Sequence, residues 1–218
     1  MNGEARPQPG AGGVAALVAA ATTAARRARV VVLVEGVSDQ RAVEAFARGR
    51  GRDLDAERIV VVQMGGAKNI RTFLDLFGPR GHGLALAGLY DEPEADDFRR
   101  GLAWAGLGTE PAPAEMEALG FFACVADLED ELIRALGTDA VEAVVEAQGE
   151  LTSFRTMQKQ PAQRGRSTHA QLRRFLGSGS GRKIRYAPLL VDALGARAAP
   201  APLERLFSHL TQQAGQPR

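Results

Sequence analysis

The stretch that decides the fold is VVVLVEGVSDQRAVEAF, residues 30–46. Its first five residues are apolar and mostly β-branched, which predicts a buried strand over Val30–Val34. A helical pattern follows over Ser38–Arg48, with Ser38 as the expected N-cap. Glu35 stands directly after the strand, where an acid has little packing purpose. The stretch therefore raises the question of which ligand this carboxylate serves.

The same alternation of apolar runs and helical patterns continues along the chain. We predict further strands at Arg58–Gln63, Leu84–Tyr90 and Phe121–Val125. Helices are predicted between and after them, at Lys68–Phe77, Ala95–Leu102 and Leu128–Leu136. Alternating strands and helices favour a parallel sheet with right-handed crossovers and helices on both faces. The predicted fold class is α/β, with a central parallel sheet of four strands in a three-layer arrangement.

After Thr138 the strand patterns stop, and the sequence predicts only helices. They are expected at Asp139–Gln148, Leu151–Gln158, His169–Leu176, Lys183–Leu194 and Leu203–Gln212. We expect residues 1–13, which are rich in Pro and Gly, to form a disordered tail. Residues 14–137 are expected to form the α/β domain, and residues 138–218 a helical C-terminal part with a basic segment.

Composition excludes several classes of protein. The single cysteine, Cys124, leaves no disulfide framework and no thiolate metal site. No apolar run is long enough to span a membrane. The apolar stretch Val14–Ala25 lies between a Pro/Gly-rich segment and a basic one, so we interpret it as a short helix and not as a signal peptide. We expect a cytoplasmic protein with no membrane partner.

The net charge of +1 conceals a separation of acids from bases. Residues 91–150 contain sixteen acids and three bases, whereas residues 151–191 contain nine bases and no acid. These bases are Arg155, Lys159, Arg164, Arg166, Arg173, Arg174, Arg182, Lys183 and Arg185. Two interpretations stay open. The charges could be solvated helical faces, or they could form an acidic pocket for cations beside a basic surface for a polyanion, as a nucleic-acid-processing enzyme needs.

Acids follow three of the four predicted strands. Open parallel sheets bind ligands at the carboxyl ends of their strands, and here those ends deliver Glu35, Asp91 and Asp127. Crowded carboxylates raise one another's pKa, and a divalent cation removes that penalty. Oxygen ligands without Cys or His favour Mg²⁺ or Mn²⁺ over zinc. The sequence thus predicts a divalent-cation site at this edge of the sheet.

Purely structural roles compete with this interpretation for some of the acids. Asp39 could be a surface residue of a first helical turn, favoured by the helix dipole. Asp127 could be only an N-cap, with Asp130 as its partner. Glu129 lies off the apolar stripe of its helix, so it can face the pocket. Glu35 is the acid that packing explains least well.

Four motifs in order resemble a Toprim domain, in particular the one found in the OLD (overcoming lysogenization defect) family of nucleases. They are VEGVSD, MGGAKN, LYDEPE and DLEDEL, and the similarity extends into FLGSGSGRKIRYAPLLVDAL. The resemblance covers roughly residues 30–136 and implies a Toprim-like fold with metal-dependent phosphodiester chemistry. Two divalent ions, Mg²⁺ or Mn²⁺, are the implied cofactors.

The resemblance also implies roles for individual residues. Glu35 and Lys183 would be catalytic, with Lys183 meeting the charge that develops on the phosphate. The chain departs from the family's Asp-x-Asp motif, because Pro93 stands at the second position and Glu94 is the nearest substitute. The expected metal ligands are Glu35, Asp39, Asp91, Glu94, Asp127 and Glu129. The expected nucleic-acid contacts are Lys68, Arg155, Lys159, Arg164, Arg166, Arg173, Arg174, Arg182 and Arg185.

The leading functional hypothesis is a nuclease that cuts or nicks DNA. The chain contains no G-x-x-x-x-G-K-[ST] motif, so we expect no P-loop ATP hydrolysis, and action alone or beside a separately encoded ATPase. Two alternatives stay open: a catalytically weak Toprim-like module that binds nucleic acid or a partner ATPase, and a nucleotide phosphohydrolase or nucleotidyltransferase. A homodimer is also left open.

Overall fold

The computed structural model describes residues 11–179 and 181–214. The strands are β1 (Val30–Val34), β2 (Ile59–Gln63), β3 (Ala85–Asp91) and β4 (Phe121–Cys124). The α-helices are α1 (Ala11–Ala24), α2 (Val37–Gly49), α3 (Ile70–Phe77), α4 (Ala95–Trp104), α5 (Pro113–Ala118), α6 (Leu128–Leu136), α7 (Thr138–Ala147), α8 (Leu151–Gln158), α9 (Thr168–Gly177), α10 (Arg182–Leu194) and α11 (Ala201–Ala214). Short 3-10 turns lie at Ala25–Arg27, Ala67–Asn69, Glu92–Glu94 and Pro161–Gln163.

The four strands form one parallel sheet in the order β2-β1-β3-β4. All five residues of β1 are buried, because this strand lies inside the sheet and helices cover both of its faces. The tight fit between the central strands requires a glycine at Gly88, where a Cβ would lie 2.5 Å from the Leu33 carbonyl oxygen. The predicted α/β, Toprim-like class is confirmed.

Alternate residues of β1 enter two separate apolar cores, as the period of a strand requires. Val31 and Leu33 pack in a core with α1, α3 and α4. Val30, Val32 and Val34 belong to a second core that also contains α2, α6, α10 and α11. The sheet is therefore the middle of three layers.

The C-terminal helices return to the sheet instead of standing apart from it. Helix α10 packs along α2, and α11 packs against β3 and β4. Tyr186 and Leu190 of α10 are buried in the core that holds Val32. This packing brings the first turn of α10, with Lys183, to the carboxyl edge of the sheet. The division at residues 137 and 138 stays a prediction.

Several sequence predictions need correction. Gly36, not Ser38, is the N-cap of α2, because the carboxylate of Asp39 accepts a hydrogen bond from the Gly36 N–H (2.9 Å). Helix α5 was not expected, since its six residues are too few for a periodic pattern. Of the predicted tail, residues 1–10 lie outside the described residues, and the last three belong to α1. Among the described helices, none has both the length and the apolar character that a membrane span requires.

Candidate metal centre

Three carboxylates converge at the carboxyl edge of the sheet, and we call them the acid triad: Glu35, Asp91 and Glu94. Each offers an oxygen within 4.8 Å of the others. Glu35 follows β1 and is only 8% exposed, whereas Asp91 ends β3 and is partly exposed. The Gly66 N–H donates to the Glu35 carbonyl oxygen (3.1 Å), so the glycine turn after β2 also borders the triad.

Glu94 reaches the triad because the chain turns immediately after β3. Residues Glu92–Glu94 form a 3-10 turn, and residues three apart in such a turn lie on one side. Asp91 and Glu94 are three apart, whereas the intervening Glu92 is exposed to solvent. Pro93 fits the start of a helical turn, where its missing N–H costs no hydrogen bond. The departure from an Asp-x-Asp pattern therefore keeps a second acid beside Asp91.

Burial and crowding make the triad electrostatically unfavourable without a cation. Burial is the largest cause that raises the pKa of Asp91, and the negative charges of Asp39, Glu35 and Asp127 add to it. The opposing charge of Lys183 is too weak to cancel these effects, and the pKa of Asp91 rises to about 8. A divalent cation would relieve this crowding, and its preferred ligands are carboxylate oxygens.

Glu129 forms an ion pair with Lys183 beside the triad. Lys183 Nζ lies 2.6 Å from Glu129 Oε2, and the glutamate is only 4% exposed. Burial raises the pKa of Glu129 to about 7, and the charges of Asp39 and Asp127 act in the same direction, while Lys183 opposes them. The first turn of α6 and the first turn of α10 thus meet through one buried contact.

Asp127 has two structural roles. Its Oδ1 accepts the Asp130 N–H (2.8 Å), so it caps α6 as expected, and Arg173 Nη2 donates to its Oδ2 (2.8 Å). Burial alone would raise the pKa of Asp127, but the hydrogen bond from Arg173 and the charge of Lys183 outweigh it and lower that pKa. His169 Nε2 also lies 2.6 Å from Asp130. These contacts fasten α9 to α6.

The acid triad does not extend to every predicted ligand. Within residues 11–179 and 181–214, Asp39, Asp127 and Glu129 are not members of the group whose oxygens lie within 4.8 Å of one another. Asp39 and Asp127 are nevertheless close enough to raise the pKa of both Asp91 and Glu129. The ligand role of each of the six acids stays a prediction.

Several residues of the basic segment pair with acids of the chain. Arg155 pairs with Glu142 (2.5 Å), and Arg173 pairs with Asp127. Arg182 and Arg185 both pair with Glu150. Lys68, Lys159, Arg164, Arg166 and Arg174 are exposed to solvent. Part of the basic segment therefore builds the fold, and its role in binding nucleic acid stays a prediction.

Two glutamates with structural importance escaped the sequence predictions. Glu131 Oε1 accepts the Val125 N–H (2.9 Å), which fixes the loop between β4 and α6. Glu150 accepts hydrogen bonds from Tyr186 (2.7 Å) and Arg182 (3.2 Å). No local pattern marks either residue, because their partners come from distant or irregular parts of the chain.

Comparison with known proteins identifies the region that carries two of the three triad acids. Residues 28–92 match the family described as "Overcoming lysogenization defect protein-like, TOPRIM domain". The matched stretch contains β1, β2, β3 and their connections, and with them Glu35 and Asp91. The predicted resemblance to an OLD-like Toprim domain is confirmed. Among curated proteins, no sequence matched the chain.

Solved structures share the fold over a larger part of the chain. The C-terminal region of the Burkholderia pseudomallei OLD protein is 21% identical, with a TM-score of 0.67, and the match covers 86% of this chain and 99% of that one. The C-terminal region of the Xanthomonas campestris pv. campestris OLD protein is 22% identical, with a TM-score of 0.64 and coverage of 86% and 94%. The likeness thus extends beyond the sheet into the C-terminal helices.

Proposed function

Starting from a chain whose residues 28–92 match the OLD-like TOPRIM family, we propose that this protein is a divalent-metal-dependent nuclease that hydrolyses or nicks DNA. The observation that supports the proposal most directly is the convergence of Glu35, Asp91 and Glu94 at the carboxyl edge of the sheet. Oxygen ligands alone, in a site where like charges are crowded, favour Mg²⁺ or Mn²⁺.

The acid triad would hold the cation through its carboxylate oxygens. When bound, a divalent cation lowers the pKa of water and neutralises charge on phosphate oxygens. The protein itself would contribute rigid placement, because Glu35 is anchored at the end of a buried strand and Asp91 at the end of its neighbour. Rigid placement matters because only prearranged charges stabilise a transition state without reorganisation.

Lys183 would contribute positive charge beside the triad. Its side chain is 22% exposed, so a phosphate oxygen could approach the ammonium group without a change of the fold. In hydrolysis, a water oxygen forms a bond to phosphorus and a phosphodiester P–O bond breaks. The products are one phosphate end and one hydroxyl end. The ammonium group would stabilise the negative charge that accumulates on the phosphate oxygens in between.

The DNA backbone would lie on exposed basic side chains near the connection between α8 and α9. Lys159, Arg164 and Arg166 are all exposed there, and Arg164 Nε donates to the Lys159 carbonyl oxygen (3.1 Å). Contacts of this kind bind phosphates and position the duplex, but they carry no sequence information. We therefore propose that DNA is the partner and that these residues bind it without preference for a base sequence.

Plasmid nicking tests the proposal directly. Supercoiled plasmid is incubated with protein and Mn²⁺, and the rate of nicking is compared for wild type, Glu35→Gln, Asp91→Asn and Glu92→Gln. The first two substitutions are expected to lower the rate about a hundredfold or more, because each removes a charge from the triad. Glu92→Gln is the matched control and should retain the rate, since Glu92 is exposed. Equal rates for wild type and the triad variants would refute the proposal.

A second candidate is a module that binds nucleic acid or a separately encoded ATPase without cutting. It is favoured because two predicted metal ligands form ion pairs with basic side chains of the protein, Asp127 with Arg173 and Glu129 with Lys183. This candidate predicts salt-dependent DNA binding with no Mn²⁺-dependent nicking. A nucleotide phosphohydrolase or nucleotidyltransferase would instead turn over small substrates and show no affinity for DNA.

A further inference from the structure

The motif MGGAKN, residues 64–69, forms the glycine turn that follows β2. The Met64 N–H donates to the Val34 carbonyl oxygen (2.9 Å), and the Gly66 N–H donates to the Glu35 carbonyl oxygen (3.1 Å). These two hydrogen bonds continue the pairing of β1 with β2 past the ends of both strands. The backbone of Glu35, the most buried acid of the triad, is therefore bonded directly to this turn.

The glycine turn has a backbone shape that needs support from other groups. Gly65 has a φ of 73° and Gly66 a φ of 124°, so two successive residues lie in the region that favours glycine. Glycine reaches these angles without steric cost, but it loses more conformational freedom on folding than any other residue. Two adjacent glycines therefore hold one conformation only if further contacts select it.

Asn69 supplies contacts of this kind. Its Nδ2 donates to the Met64 carbonyl oxygen (2.9 Å) and lies 3.4 Å from the Gly65 carbonyl oxygen. Its backbone N–H donates to the Gly66 carbonyl oxygen (3.1 Å). The next residue, Ile70, is only 2% exposed and begins α3, which anchors the asparagine. One residue thus joins the end of the glycine turn to its beginning, and its side-chain amide has the two donor hydrogens that this requires.

We propose that Asn69 is a positioning residue of the candidate metal centre. It fixes the glycine turn, and through the Gly66 N–H the turn fixes the backbone of Glu35 relative to Asp91 on β3. Asn69 itself contacts neither the cation nor the substrate in this proposal. The inference rests on the proposed function, because it assumes that the triad binds a divalent cation. Groups that orient metal ligands from behind commonly change metal affinity by tenfold or more.

Comparing Mn²⁺ affinity with thermal stability tests this inference without measuring activity. Wild type, Asn69→Ala and Asn69→Ser are titrated with MnCl₂ at pH 7 by calorimetry, and the Tm of each is measured in EDTA. Asn69→Ala removes both side-chain contacts and should weaken Mn²⁺ binding about tenfold. Asn69→Ser keeps one shorter donor, so its affinity should lie between those of Asn69→Ala and wild type. A merely structural role would lower the Tm and leave the affinity of the folded protein unchanged.

Gln171→Ala is the matched control for the loss of an amide contact. The Gln171 side chain also donates to a backbone carbonyl, that of Gln163 (2.9 Å), so this variant should lower the Tm and keep the Mn²⁺ affinity of wild type. Unchanged Mn²⁺ affinity in Asn69→Ala would overturn the inference and leave the nuclease proposal standing. Wild type that binds no Mn²⁺ would overturn both. If Asn69→Ala does not fold, as judged by circular dichroism, the affinity of Asn69→Ser decides.

Discussion

Asp91 and Glu150 carry the same chemical group, but the fold gives them opposite surroundings. Burial and three neighbouring acids raise the pKa of Asp91 to about 8. Burial would also raise the pKa of Glu150, but hydrogen bonds from Tyr186, Arg182 and Arg185 outweigh it and lower that pKa to about 2. One carboxylate is thus kept short of positive charge, and the other is surrounded by it.

The difference separates a site for function from a site for stability. Glu150 joins the start of α8 to α10, and all of its partners belong to the protein. Asp91 lies among other acids, and the fold retains that unfavourable arrangement at the carboxyl edge of the sheet. Unfavourable crowding that persists in a folded protein is expected where an external ligand completes the site.

Replacing Glu150 should have the largest effect on stability. Glu150→Gln removes the charge that Arg182 and Arg185 contact, and we expect a loss of about 2 kcal/mol at pH 7. That loss corresponds to a lower Tm of roughly 4–8 °C for a protein of this size. Thermal unfolding followed by circular dichroism measures it. Glu146→Gln, at an exposed position on α7, is the control and should shift the Tm by no more than about 2 °C; equal shifts would contradict the comparison.

Replacing Asp91 should change stability in the opposite direction. In EDTA at pH 8, Asp91→Asn removes a crowded carboxylate, and we expect a gain of about 1 kcal/mol. The same variant should lose the increase in Tm that Mn²⁺ gives to wild type, because the ion binds only the folded triad. Differential scanning calorimetry with EDTA and with Mn²⁺ measures both effects. A less stable Asp91→Asn protein in EDTA would show that the crowding carries no cost.

The contribution of Glu150 to stability should also depend on pH. The pKa of Glu150 is lower in the folded protein than its ordinary value of 4.5, so its stabilising effect is present above that value and is lost as the pH falls towards about 2. The stability difference between wild type and Glu150→Gln should therefore be constant above pH 5 and shrink below it. Urea unfolding from pH 7 down to pH 3 measures this difference, and a difference that does not change with pH would contradict the assignment.

The smallest expected effect is the one that exposed basic side chains have on DNA binding. Arg166→Gln should weaken DNA binding by a similar factor for all sequences and reduce the salt slope by about 1, because one phosphate contact is lost. Fluorescence anisotropy over a range of salt concentrations measures the slope. Arg26→Gln is the control, since Arg26 is exposed and precedes the amino end of β1. An unchanged slope for Arg166→Gln would remove this residue from the proposed interface.

Local patterns were sufficient for much of the fold. The bounds of β1 and α6 agree with the sequence predictions, because an apolar run of fixed length and an N-cap at Asp127 define them. Strand-end logic alone placed Glu35 and Asp91 at one edge of the sheet, where the structure brings them together. Glu94 required the resemblance as well, because it was the nearest substitute at a position where the motif departs.

Long-range pairing could not be predicted from the sequence. Arg173 contacts Asp127, which lies 46 positions away in the chain, and the sequence did not predict this pair. Glu150 and Tyr186 are separated by 36 positions and meet only because α10 packs beside α7 and α9. Opposite charges at such separations find each other through tertiary packing, and composition cannot distinguish them from charges that remain in solvent.

The position of α10 has a consequence for how this chain could be divided or recombined. Its buried residues complete the core beneath β1, and its first turn carries Lys183 to Glu129. A fragment that stops at residue 137 would expose Val32 and Val34 to water and would lack the ammonium group. If the sheet were exchanged between related chains, α10 would have to be transferred with it. The smallest exchangeable segment is therefore larger than the matched region 28–92.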